Sequence, residues 1–121
     1  MGDRLRFIEH KGQRILLIDF SEASKAEILS LLADIQATIA EEPPESVLTL
    51  ADFRNAEVDK AVATRMKEVL VFDRPFVKRS AWVGTESLPH VFYESFKNFS
   101  KRDFPAFTTR EEAMEWLVSS G

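Results

Sequence analysis

The feature that most constrains the fold is the run RILLIDF at residues 14–20, in which nearly every side chain is apolar. A strand with one face in water alternates apolar and polar residues, whereas a continuous apolar run is typical of a strand buried on both faces. Such burial requires structure packed on both sides of a sheet. The run therefore predicts a layered α/β domain whose sheet is covered by helices.

A second strand-like run, residues 4–9, precedes this one and is separated from it by residues 10–13. That connection contains Gly12, which can take the positive φ angle that a tight hairpin turn needs. The two runs are therefore expected to pair as an antiparallel hairpin.

The first helix is predicted from Ser24, whose hydroxyl can accept from a free backbone N–H while Glu27 returns the hydrogen bond. Apolar residues then follow at helical spacing and define one stripe: Ile28, Leu31, Leu32, Ile35 and Ile39. Pro43 and Pro44 end the pattern because proline cannot donate to a helix ladder.

The rest of the chain alternates strands with helices. Strands are predicted at residues 47–51, 76–83 and 104–107. Helices are predicted at about residues 59–72, after Ser87 as a cap, and after Thr109, which with Glu112 forms a second capping box. The resulting order, β-β-α-β-α-β-α-β-α, implies parallel pairing through crossover helices. The sequence thus predicts one α/β domain over residues 1–121, with a mixed, mostly parallel five-stranded sheet and four helices. Pro105 favours an edge position for the last strand.

Composition excludes several classes of protein. The 121 residues contain no cysteine, which excludes disulfides and thiolate chemistry. The net charge of −4 argues against nucleic-acid binding, which normally requires clustered Lys and Arg. No stretch approaches the ~20 apolar residues of a membrane span. We expect a cytoplasmic protein that binds neither nucleic acid nor a membrane.

No catalytic pattern is evident. The only histidines, His10 and His90, lie outside any nucleophile motif, and the four glycines form no phosphate-binding loop. The prediction is therefore a protein that is not an enzyme and uses no cofactor.

Polar residues follow three of the predicted parallel strands, where open α/β sheets bind ligands. They include Asp19 and Ser21, then Asp52, Arg54 and Asn55, then Thr85 and Glu86. Converging carboxylates could hold Mg²⁺ through oxygen ligands. Solvated loop residues are the commoner explanation of such side chains and the favoured one here, so no metal site is predicted.

Aromatic residues are the most unusual part of the composition, with ten phenylalanines. Packing of the stripe Phe92, Phe96 and Phe99 against the sheet explains much of this number. Four of the aromatic positions exceed what one core should hold: Phe72, Tyr93, Phe99 and Phe104. The surplus suggests either a homodimer surface or, as an alternative function, a pocket that carries an apolar small molecule or lipid.

Four segments resemble the SpoIIAA-like family of bacterial proteins, which is related in fold to the STAS domain of anti-sigma factor antagonists. They are GQRILLIDFS at 12–21, SVLTLAD at 46–52, PFVKRSAWVG at 75–84 and FTTREEAMEWL at 107–117. The resemblance covers nearly the whole chain in element order. It implies a helix-flanked sheet and a non-enzymatic regulatory or protein-interaction role.

The resemblance also points to a regulatory position. STAS antagonists carry a phosphorylated serine just ahead of their second helix, and the matching stretch here is residues 53–61. Lys60 follows Asp59 where that pattern has serine, so the hydroxyl that a phosphorylation switch needs is missing. The loops after the parallel strands and the stretch that matches the STAS pattern together supply the predicted binding residues. They are Asp52, Arg54, Asn55, Asp59, Lys60, Thr85 and Glu86.

Overall fold

A tight hairpin begins the sheet. In the computed structural model, which describes residues 3–102 and 104–119, β1 (Leu5–His10) pairs antiparallel with β2 (Gln13–Asp19). The two turn residues, Lys11 and Gly12, both have positive φ angles, 51° and 81°. This backbone matches the right-handed twist of paired strands, so the predicted hairpin is confirmed.

The remaining strands add to β2 in chain order, and all of them run parallel. The order is β1-β2-β3-β4-β5, with β3 at Val47–Asp52, β4 at Val77–Val83 and β5 at Ala106–Phe107. The predicted mixed, mostly parallel five-stranded sheet is confirmed. The last strand is shorter than residues 104–107 and occupies an edge, as Pro105 indicated.

Four α-helices are found in the described residues: α1 (Lys25–Ile39), α2 (Lys60–Asp73), α3 (His90–Ser100) and α4 (Arg110–Val118). The capping boxes predicted at Ser24 and Thr109 both form. All five apolar residues of the α1 stripe are buried. The hydrophobic pattern and the caps therefore located three of the helices correctly.

The start of α3 differs from the prediction. Ser87 ends a short 3₁₀ turn, Thr85–Ser87, and Pro89 rather than Ser87 precedes the first helical residue. Pro89 disfavours helical backbone at Leu88, which is extended with ψ 136°. The Ser87 hydroxyl accepts instead from the backbone N–H of Asn55, at 2.9 Å. Phe99 also leaves the predicted stripe and is 57% exposed.

The helices cover the two faces of the sheet unequally. On one face α1, α2 and α3 pack over inward-facing strand residues such as Leu16, Ala51 and Trp82. On the other face α4 packs through Ala113 and Leu117. Because both faces are covered, all of β3 is buried, as the continuous apolar runs predicted. Within the described residues no helix is long and apolar enough to cross a membrane.

Candidate functional site

The carboxyl ends of β2, β3, β4 and β5 meet at one edge of the sheet, and a buried carboxylate lies at its centre. Asp52 is the last residue of β3 and is fully buried, so its description as a solvated loop residue is wrong. The Arg54 side chain donates to both of its oxygens, with Nη2 2.9 Å from Oδ2. The Arg54 backbone N–H also donates to Oδ1, at 3.0 Å.

A second arginine reaches Asp52 from the far end of the chain. Arg110, the first residue of α4, donates from Nε to Asp52 Oδ2 at 2.8 Å and lies 3.4 Å from Asp19 Oδ1 through Nη2. Burial alone would raise the pKa of Asp52. Hydrogen bonds from Arg54, followed by those from Arg110, outweigh burial and lower its pKa. Asp52 is therefore ionised and holds two arginines in fixed positions.

Close packing at Gly84 allows this arrangement. Gly84 follows β4 with a φ angle of 74°, and a Cβ atom there would lie 2.6 Å from both the backbone nitrogen and Cγ of Arg54. Only glycine accepts this backbone conformation and this close contact at low cost. Gly84 thus lets the loop after β4 pack directly against the loop after β3.

The three loops after β2, β3 and β4 are linked to one another by hydrogen bonds. The Glu22 backbone N–H donates to the Arg54 carbonyl at 2.8 Å, and Asn55 Nδ2 donates to Glu22 Oε2 at 2.8 Å. Asn55 also donates its backbone N–H to Ser87 Oγ, which connects the third loop. Glu22 and Asn55 both have left-handed backbone, at φ 58° and 57°. These hydrogen bonds tie the three loops to one another in a fixed arrangement.

Asp59 and Lys60 lie beside these loops at the start of α2. Asp59 caps the helix by accepting from the Val62 backbone N–H at 2.9 Å, and this hydrogen bond is the main cause of its lowered pKa. Its other oxygen lies 3.2 Å from Lys25 Nζ. Lys60 is exposed in the first turn of α2. Asp59 thus has a structural role, and Lys60 is accessible.

We call the exposed part of this edge the strand-end surface. It comprises the exposed Glu22, Arg54, Asn55, Lys60 and Glu86, together with the half-buried Thr85. All seven predicted binding residues lie at this edge of the sheet, although Asp52 is buried beneath the surface and Asp59 is used as a helix cap. A depression of about 510 Å³ adjoins it, between Arg54 and the residues that lead into α4.

The sequence pattern did not indicate that Arg110 belongs to this site. The available signal was the parallel β5, because the residues that follow a parallel strand reach the same edge as those that follow its neighbours. The strand has only two residues, and Arg110 follows a helix cap, so its direction toward Asp52 could not be inferred from pattern alone.

The described residues contain no group of three or more metal-binding side chains. Both oxygens of Asp52, which the magnesium alternative required, are occupied by the two arginines. His10 ends β1, which runs antiparallel to β2, so it lies at the opposite end of the sheet, where its Nε2 is 2.7 Å from Glu115 Oε2. This edge therefore presents ion pairs and exposed polar groups.

The surplus aromatic residues are divided between the core and the surface. Phe104 is fully buried and stacks on Trp82, with ring centroids 4.4 Å apart, while the Tyr93 hydroxyl donates to the Phe104 carbonyl. Phe72 and Phe99 are exposed. The apolar interior cavity has a volume of about 40 Å³, far below the 300–1,000 Å³ or so of typical ligand pockets, and cannot hold a lipid chain.

Comparison with solved structures matches this arrangement to a protein described as an anti-sigma-factor antagonist (STAS) domain protein from Planctomyces limnophilus. The TM-score is 0.58, and the match covers 95% of this chain and 98% of the other. The chain has a STAS fold. At 12% sequence identity, the likeness extends to the fold alone. No family model and no curated protein matches the sequence.

The STAS fold confirms the architecture that the SpoIIAA-like resemblance implied, namely a mostly parallel sheet with four helices. Lys60, which stands where the resemblance implies a phosphorylated serine, is the first residue of α2.

Proposed function

We propose that this chain is a non-enzymatic regulatory module that binds a protein partner through the strand-end surface. The observation that carries the proposal is the hydrogen bonding among the loops after β2, β3 and β4. A surface already held in one conformation loses little conformational entropy on binding, so more of the contact energy appears as affinity.

The charges of the surface support the same function. The strand-end surface contains two basic residues, Arg54 and Lys60, and two acidic residues, Glu22 and Glu86, so neither sign dominates the exposed groups. Mixed charges in fixed positions favour one complementary partner and disfavour others. The solved relative is described as an anti-sigma-factor antagonist domain protein, and a regulatory protein partner is the corresponding proposal for this chain.

Lys60 gives this proposal a specific consequence. Regulation through a phosphorylated residue at the start of α2 would require a hydroxyl at position 60. We propose that the chain binds its partner constitutively through this position. The absence of cysteine fits a protein of the bacterial cytoplasm.

Site-specific photocrosslinking tests the proposal in cells. A photoreactive amino acid at position 60 should give one discrete adduct with a protein partner, and so should one at position 86. The same amino acid at the exposed Ala33, on the outer face of α1, serves as the control and should give none. Identical adducts from all three positions would show that the strand-end surface is not the binding site.

Charge reversal then tests the surface with the identified partner. Lys60→Glu should weaken binding at least about tenfold, because a rim charge complementary to the partner becomes repulsive. Lys60 is exposed and forms no ion pair with the other residues that the structure describes, so circular dichroism should be unchanged. Unaltered affinity would contradict the proposal.

A second copy of the chain is the alternative partner. Apolar side chains on the outer surfaces of α2 and α3 favour it, since Val71, Phe72, Val91 and Phe99 are all at least 40% exposed. Light scattering of the purified chain distinguishes the two proposals. A dimer that Phe99→Glu converts to a monomer would support self-association through α2 and α3.

A further inference from the structure

A basic cleft lies beside the first half of β4, at the opposite end of the sheet from the strand-end surface. It has a volume of about 730 Å³, and its charged residues are Glu45, Arg74, Lys78, Arg79 and Arg102. Four basic residues and one acidic residue give the cleft a formal charge of +3, whereas the whole chain carries −4. The remainder of the chain therefore carries −7, so this acidic protein concentrates positive charge in one place.

The four basic side chains of the cleft have no counter-charge. Among residues 3–102 and 104–119, no carboxylate oxygen lies within 4.0 Å of any of them. A cleft lined by one sign of charge raises the local concentration of ligands of the opposite sign. The cleft is therefore complementary to an anionic ligand.

Two of its guanidinium groups are held in place by neutral acceptors. Arg79 Nη1 donates to the carbonyl oxygens of Trp116 and Ser119, each at 2.8 Å. Arg102 Nη2 donates to Ser80 Oγ at 2.6 Å. These hydrogen bonds orient the two groups without neutralising their charge, so a ligand carboxylate meets donors that are already positioned.

One wall of the cleft is a stretch of β4 that lacks a second partner strand. The short β5 pairs only with Trp82 and Val83, the last two residues of β4. The ladder stops there because Pro105 accepts from the Trp82 N–H at 3.0 Å but has no N–H to donate toward the Ser80 carbonyl. Within the described chain, residues 77–81 therefore pair with a strand on one side only.

The accessible part of this free edge is residues 77–79. Lys78 is exposed and its two neighbours are half-buried, whereas Ser80 and Ala81 are buried. The adjacent charges of Lys78 and Arg79 oppose pairing with the same edge of a second copy, since like charges would then meet. An acidic strand meets no such repulsion, because its carboxylates lie beside the two cations.

We propose that the basic cleft binds an extended acidic peptide segment of a protein partner. The peptide adds as a short strand to the free edge at residues 77–79, and its carboxylates pair with the four basic residues of the cleft. A nucleic acid fits less well, because a long polyanion reaches beyond the cleft to the part of the chain that carries −7.

An acetylated and amidated hexapeptide of alternating glutamate and valine is the probe. Calorimetry and amide chemical shifts of the intact chain, at an ionic strength of about 0.15 M, should show saturable binding with the largest shifts at residues 77–80. One control peptide has glutamine in place of glutamate and lacks the charge. Another is N-methylated at every amide and keeps the charge but cannot pair as a strand. Each control should bind at least about tenfold more weakly.

Charge reversal at exposed positions locates the site. Arg74→Glu and Lys78→Glu should each weaken binding of the acidic peptide at least about fivefold, because an attractive charge becomes repulsive. Arg6→Glu is the matched control, since Arg6 is exposed, forms no ion pair within the described residues and lies on β1, at the other edge of the sheet. It should change binding by less than about twofold, because charges are screened beyond about 8 Å at this ionic strength. Circular dichroism checks the fold of each variant.

Several results would overturn the proposal. They are no saturable binding of the acidic peptide, equal binding of either control peptide, or unaltered binding by both Arg74→Glu and Lys78→Glu. Equal or tighter binding of inorganic pyrophosphate or of a hexathymidylate would also overturn it, since neither can add a strand to the sheet. Photocrosslinking from positions 60 and 86 reports on the strand-end surface alone, so the two proposed sites can fail independently.

Discussion

Two buried aspartates have opposite pKa shifts, and the number of their partners explains the difference. Asp52 accepts from two arginine side chains and one backbone N–H, which together outweigh the cost of burial and lower its pKa. Asp73 is almost as deeply buried and has only the distant charge of Arg102 to oppose desolvation, so its pKa rises to about 7. Hydrogen bonding, more than burial, decides whether a carboxylate here is charged.

The raised pKa of Asp73 predicts an unusual dependence of stability on pH. Its folded pKa of about 7 lies above the ordinary value of 3.8, so between these pH values the folded state binds a proton that the unfolded state lacks. Its contribution to stability is therefore full below pH 3.8 and is lost as pH rises through 7. The loss is at most about 1.4 kcal/mol per pH unit in that window.

Urea unfolding of Asp73→Asn and the wild type, at pH 5 and at pH 8, checks this prediction. The free energy of unfolding of the wild type should fall relative to that of Asp73→Asn as pH rises. Glu41→Gln, at an exposed position, controls for the loss of one negative charge. Parallel pH profiles for the wild type and Asp73→Asn would contradict the predicted shift.

At the scale of elements, local signals located the secondary structure where they were strong. The left-handed turn at Gly12 and the capping boxes at Ser24 and Thr109 were predicted and are confirmed. The prediction failed at α3, because the Ser87 hydroxyl bonds to a loop 32 residues earlier in the chain. Pro89 also keeps Leu88 extended, so the helix begins three residues after Ser87.

Helix α4 begins with a capping box formed by Thr109 and Glu112. Thr109 Oγ1 accepts from the Glu112 backbone N–H at 3.1 Å, and Thr109→Ala removes that acceptor at a cost of about 1 kcal/mol. The midpoint of urea unfolding should therefore fall. Thr108→Ala, at the preceding exposed residue, is the matched control and should have little effect. Equal midpoints for the two variants would show that the capping box contributes nothing.

At the scale of the whole molecule, one sheet separates two hydrophobic clusters of unequal size. Trp82 belongs to the larger cluster, beneath α1, α2 and α3, and Trp116 packs on the smaller one, beneath α4. Each cluster is built on alternate residues of the same strands, so neither can form without the sheet. We expect the two faces to unfold together.

Single-tryptophan variants measure this cooperativity. In Trp116→Phe the fluorescence reports on the larger cluster, and in Trp82→Phe it reports on the smaller one. Within each variant, the urea midpoint from fluorescence should coincide with the midpoint from far-ultraviolet circular dichroism. A fluorescence transition of Trp116 that clearly precedes loss of secondary structure would show that α4 detaches independently.

The sequence by itself determined the order of elements, the hairpin, the burial of the sheet on both faces and the edge where polar loops gather. These follow from periodicity, caps and turn residues, which act over a few positions in the chain. Only the tertiary structure showed that Asp52 binds Arg110, 58 residues away, and that Asp73 lies near Arg102 without an ion pair. Periodicity indicates which face a side chain occupies, whereas charge pairing depends on distances of a few ångströms between elements far apart in sequence. The fold was therefore predictable, and the electrostatics around Asp52 and Asp73 were not.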